Sequence, residues 1–129
     1  MTEIFENIKF DDKGLIPAVI QDERSKRVLT LSFMNREALE KTINEGKVYV
    51  YRRSSARLMM KGEMSGCIQK VKCICIDCEG NYILFKVRQV KAACHKGYFS
   101  CYFRKIDRSG RVKVVEKRIY DPKKIYNLG

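Results

Sequence analysis

The sequence has a single histidine, His95, and two prolines, Pro17 and Pro122, both near its ends. It has no low-complexity linker, no Ser-rich break and no internal repeat, so no domain boundary interrupts its 129 residues. No run approaches the roughly 18 apolar residues of a membrane span, and the acidic N-terminus MTEIFENIKFDD lacks a hydrophobic signal core. These absences predict one soluble domain over residues 1–129, unexported and cytoplasmic, where thiols stay reduced. With 45% apolar residues the core is modest, and pairing with a second copy would enlarge it.

Cysteine and positive charge are what the chain has in quantity. Its six cysteines, Cys67, Cys73, Cys75, Cys78, Cys94 and Cys101, all fall within residues 67–101. Alternation along KVKCICID puts Cys73 and Cys75 on the face of Val71, which predicts buried small hydrophobes rather than ligands. The formal net charge of +12, from 27 Lys and Arg against 15 Asp and Glu, favours an anionic partner. Half of it lies in residues 104–129, and the simplest reading of this basic C-terminal extension, 105–129, is a solvated face.

Short β-rich runs recur at 15–20, 27–33, 47–52, 68–77, 82–88, 98–104 and 112–120. One segment breaks the rhythm: Asn35 can cap a helix over about 36–45 whose Ala38, Leu39, Thr42 and Ile43 share a face, with Gly46 ending it. Glu79-Gly80-Asn81 reads as a tight hairpin turn between 68–77 and 82–88. The prediction is a mostly β domain with one or two helices, of the α+β class.

Cys78, Cys94 and Cys101 have no C-x2-C spacing among them, which disfavours a closed structural zinc site. Three thiolates with a fourth position open to water is the arrangement of a catalytic zinc. In an extended segment, alternation would send the oxygens of Asp77, Glu79 and Asn81 to one side and the Cys78 thiol to the other, sorting hard ligands for Mg²⁺ from a soft one. The stretch YRRSSARLMMKGEMSG (51–66) has the composition of a phosphate cradle. His95, beside Cys94, can act as acid or base at neutral pH.

Taken in order, GLIPAVIQD (14–22), LSFMNREAL (31–39), KGEMSG (61–66), IDCEGN (76–81) and QVKAACHKGYFSCYFR (89–104) resemble the phosphoribosyl-AMP cyclohydrolases, which open an adenine ring in histidine biosynthesis. ACHKGYFSC is the most specific part. The resemblance implies a pseudobarrel-like fold and an obligate homodimer. It also implies one zinc per subunit, held by Cys78 of one chain with Cys94 and Cys101 of the other, and Mg²⁺ at Asp77, Glu79 and Asn81. Substrate contacts fall to Arg53, Ser54, Arg57, Lys61, Glu63 and Ser65, and the substrate is a small phosphorylated nucleotide. The implied reaction is addition of zinc-activated water to C6 of an N1-substituted adenine and cleavage of the N1–C6 bond, with His95 the candidate for proton transfer. Where the family has Asp-Cys-Asp-x-Asp this chain has Glu79 and Asn81, and Tyr51, Ser55, Met59 and Met64 depart from its basic segment. Two rival readings follow: a paralogue acting on another purine nucleotide, and a small basic zinc protein binding nucleic acid through 104–124. The absence of a recognisable nucleic-acid module counts against the second.

Overall fold

Every second residue is buried along 16–22 and 83–87, and these runs become the centre of the structure. A computed structural model of the chain describes residues 2–126; position 1 and the end of the basic extension, 127–129, lie outside the described residues. In chain order the elements are α1 (Thr2–Glu6), β1 (Ile16–Asp22), β2 (Val28–Met34), α2 (Arg36–Glu45), β3 (Tyr49–Arg52), β4 (Arg57–Met60), β5 (Gln69–Ile76), β6 (Ile83–Gln89), β7 (Arg104–Ile106), β8 (Val112–Val114) and α3 (Lys123–Tyr126). The chain is mostly β, as expected. No helix among the described residues is long and apolar enough to cross a membrane.

The main sheet has the order β2-β1-β6-β5, with β1 parallel to β6 and the other pairs antiparallel. Its inner face, including Ile16, Ile20, Phe85 and Val87, joins Ala38 and Leu39 of α2 in one core cluster. Fully burying side chains such as Phe85 and Ile20 contributes about 1.5–3 kcal/mol each. The helix starts and stops where its caps dictate: Asn35 accepts the Ala38 N–H at 2.8 Å, and Gly46, at φ 70°, donates to the Thr42 carbonyl at 2.9 Å. Thr42 then ties α2 to β3 by accepting the Tyr49 N–H at 2.9 Å. The β3–β4 hairpin is linked to β5 through a Lys47–Lys70 bridge and a Val48 N–H to Gln69 carbonyl bond of 3.1 Å.

Four expectations are corrected. A bulge between Val71 and Cys73 shifts the register against β6, so Cys73 pairs with Lys86 and Cys75 with Leu84 on the outer face. Cys73 is therefore exposed and Cys75 half-buried, and neither belongs to the core. The run 98–104 is irregular up to Arg104, and 112–120 is strand only over Val112–Val114. Strand β4 lies within the 51–66 segment read only as a phosphate cradle, where polar composition hid its pairing with β3.

Candidate active site

Residues 93–101 fold back on themselves instead of extending. The Ala93 N–H donates to the Phe99 carbonyl at 2.9 Å, Cys94 N–H to Tyr98 at 3.1 Å and Gly97 N–H to Cys94 at 2.9 Å. Gly97, at φ +93°, makes the reversal possible without steric cost. The returning arm is pinned to β2, with Cys101 N–H donating to the Leu29 carbonyl at 2.7 Å and the Ser100 hydroxyl to Val28 at 2.7 Å. Stacked rings of Tyr98 and Phe103, 3.7 Å between centroids, close the loop.

This fold-back brings the buried Cys94 and half-buried Cys101 thiols close enough for one to influence the other. Burial pushes the Cys101 thiol up and neighbouring Cys94 adds to it, while the Thr30 hydroxyl and Lys61 pull it back. Two neighbouring thiols, Cys94 and Cys101, are a soft donor pair that a metal cation would stabilise as thiolates, so the residues fit a zinc ion. Among the described residues no three His, Cys, Asp or Glu side chains group closely enough to hold a metal. Within one chain, Cys78 is not brought to Cys94 and Cys101.

His95 stands at the apex of the same turn. The residue is exposed, yet partial desolvation, with the cations Lys61, Lys96 and Arg52 nearby, holds the imidazole below its ordinary value. The ring borders a cleft of about 830 Å³ together with Cys101, Arg53, Lys61, Glu63 and Ser65, which gathers most of the residues expected to contact substrate. The Arg53 guanidinium lies 3.9 Å over the Phe33 ring, itself part of the wall. Two of the expected residues stand back: Ser54 is in the exposed 53–56 turn, and Arg57 pairs with Glu63 at 3.2 Å from outside the cleft. Arg52, within the basic 51–66 stretch, also lines the cleft, as do Lys96 and Thr30, which the sequence did not mark.

The turn 77–82 holds the third cysteine. Because it is a turn and not an extended segment, alternation does not sort its side chains. Asp77 folds inward, its Oδ1 accepting the N–H groups of Asn81 at 2.7 Å and Tyr82 at 2.8 Å. The Tyr82 N–H above all, with those of Glu79 and Asn81, holds the Asp77 carboxyl below its ordinary value. Cys78 and Glu79 are exposed, in a hollow shared with Glu6, Asn7, Ile8 and Lys9. Cys75 and Cys78 form a C-x2-C pair in sequence, but one lies on β5 and the other in the turn.

The basic extension is only partly the solvated face expected. β7 and β8 are exposed throughout, yet the chain beyond them docks on the cysteine loop: Ile119 N–H donates to the Gly97 carbonyl at 2.7 Å, and Pro122 and Lys123 reach the cleft. Nothing local in the sequence signals this long-range contact.

Known proteins resemble the chain along most of its length. Residues 30–103 match the family profile described as phosphoribosyl-AMP cyclohydrolase, a span holding both Cys94 and Cys101. The chain is 42% identical over 121 residues to the phosphoribosyl-AMP cyclohydrolase of Chlorobium phaeovibrioides, covering 94% of this chain and 88% of that protein. Identity to that of Pelotomaculum thermopropionicum is also 42% over 121 residues, covering 94% of each. It is 40% identical over 126 residues to the histidine biosynthesis bifunctional protein HisIE of Thermoanaerobacter pseudethanolicus, covering 98% of this chain and 58% of that longer protein.

Proposed function

The chain belongs to the phosphoribosyl-AMP cyclohydrolase family, and on that premise we propose that its cleft hydrolytically opens the adenine ring of 1-(5-phosphoribosyl)-AMP in histidine biosynthesis. The enzyme is a hydrolase acting on a phosphoribosyl nucleotide. One observation carries the reading: the cysteine loop and the basic 51–66 segment face one cleft, so a soft donor pair, an imidazole and phosphate-binding cations converge. Arg53 and Lys61 attract the phosphates, while Leu31, Phe33 and Met59 offer apolar surface to the ring.

Zinc would be held by Cys94 and Cys101 of one subunit and Cys78 of another. When bound, it supplies Lewis acidity that makes water nucleophilic near neutral pH. As water adds at C6 of the cationic ring and the C6–N1 bond breaks, one of its protons ends on N1 of the neutral formimino-carboxamide product and the other leaves to solvent; the His95 imidazole, which lines the cleft, carries the proton to N1. Substitution at N1 makes the ring cationic and C6 electron-poor. Mg²⁺ would sit at Asp77, Glu79 and Asn81, less tightly for lack of a carboxylate at 81. A zinc-thiolate hydrolase belongs in a reducing cytoplasm, and all six cysteines are free.

What the sheet leaves uncovered supports a homodimer. Val19, Leu31, Phe33 and Leu84 share its outer face and are only partly covered, and this face is continuous with the cleft. A second copy laid on it would complete a pseudobarrel-like core and could bring its own Cys78 turn to the first copy's thiols. The test is spectrophotometric: zinc-loaded protein should open the ring of phosphoribosyl-AMP, and His95→Ala should lower kcat about 100-fold or more with zinc retained. Folded, zinc-loaded protein without ring-opening activity would contradict the reading.

A further inference from the structure

The segment after β8 returns to the site and grips it. Val115 N–H donates to the Phe103 carbonyl at 2.9 Å, and the Glu116 carboxylate pairs with Arg27 beside β2. Ile119 N–H then bonds the Gly97 carbonyl at 2.7 Å, and the Tyr120 hydroxyl donates to the Cys94 carbonyl at 3.3 Å. Both contacts fall on the turn that carries His95. Immediately beyond them, the Asp121 carboxylate accepts the Lys123 N–H at 3.0 Å and fixes the start of α3, so that Pro122 and Lys123 line the cleft beside Lys96.

We propose that Lys123 is a substrate-binding residue whose ammonium takes one of the nucleotide's two phosphates, and that the Tyr120 to Cys94 contact keeps it in register with His95. This rests on the reading of the chain as a phosphoribosyl-AMP hydrolase, since that nucleotide carries a phosphate on each of its two riboses. Cations reach the cleft from two parts of the chain: Arg52, Arg53 and Lys61 from the β3–β4 side, and Lys96 and Lys123 from the cysteine loop and the tail. Anchoring a substrate through both phosphates fixes the ring between them, which is the positional requirement for attack at C6. Lysine suits a phosphate that needs a point charge and no planar fork.

The test compares Lys123→Gln, Lys123→Arg and, as a control on the exposed β8, Lys113→Gln. Lys123→Gln should raise KM about tenfold and change kcat less than about twofold, as loss of a charged contact made equally in ground and transition states requires. Lys123→Arg should restore most of the loss, and Lys113→Gln should leave KM unchanged. A KM for Lys123→Gln within about twofold of wild type, or an equal rise in Lys113→Gln, would overturn the assignment. Should the wild type not turn over the nucleotide at all, calorimetric titration with AMP and ribose 5-phosphate, which carry the two phosphates separately, decides instead. Weaker binding of either fragment by Lys123→Gln supports the site although the reaction was misread, and unchanged binding of both overturns it.

Discussion

Gly97→Ala is the most informative single change, because Gly97 joins the cysteine loop to the tail. At φ +93° an alanine is strained, at a cost of about 1–2 kcal/mol. Its Cβ would also run into the Tyr120 carbonyl oxygen, which is backbone and cannot swing aside. Relief requires the tail to move, weakening the 2.7 Å Ile119 to Gly97 bond and its neighbours, a further loss of about 1–2 kcal/mol. Gly110 supplies the control: its φ of +87° imposes similar strain, but a Cβ there meets nothing within 4 Å. For a domain of this size, at about 4 °C per kcal/mol, Gly110→Ala should lower Tm by about 4–8 °C and Gly97→Ala by about 8–16 °C. Calorimetric melting of both variants checks this, and Gly97→Ala should also raise KM as Lys123 leaves the cleft. Equal Tm losses in the two variants would refute the claim that the tail is packed on the loop.

Three further outcomes are expected. Asp22, buried, has its pKa raised by burial but lowered more by the Ser25 N–H and hydroxyl and the Gln89 N–H, for a net depression; its stabilisation is thus present above the unfolded value of about 3.9 and lost as pH falls through the lower folded value. Asp22→Asn should destabilise by about 1–3 kcal/mol at pH 7, with the gap to wild type closing below about pH 4 in urea melts; a gap independent of pH would contradict this. Cys101→Ser should lose zinc and activity, whereas Cys73→Ser, on the exposed outer face, should keep its zinc and change stability by less than about 0.5 kcal/mol, with equal zinc loss in elemental analysis showing the wrong thiols were chosen. Asn81→Asp should lower the Mg²⁺ concentration for half-maximal activity, and superimposable activity curves would remove residue 81 from any Mg²⁺ site.

Local signals carried most of the scaffold. Asn35 and Gly46 bracket a helix because each satisfies backbone groups at a helix end, and strict alternation in 16–22 and 83–87 marks strands buried on one face. Features depending on a single extra residue or on distant contacts were not legible. The bulge at Lys72 reverses the facing of Cys73 and Cys75, and nothing in KVKCICID announces it. The apolar run YFSCYF has strand composition, yet Gly97 and the buried Ser100 turn it into a loop held by β2. Within the site, the Cys-His dipeptide and basic segment pointed to one cleft, while Lys123 joined it through tertiary contacts alone.

Each site is proposed to be completed by a second subunit, since Cys78 does not join Cys94 and Cys101 within one chain. The most direct measurement mixes Cys78→Ser with Cys101→Ser protein, each inactive alone, under conditions of verified subunit exchange. Random reassortment of a two-fold dimer leaves one intact thiol triad in each mixed pair, so about a quarter of wild-type activity should return. Activity that stays at the level of the unmixed variants would contradict a shared site.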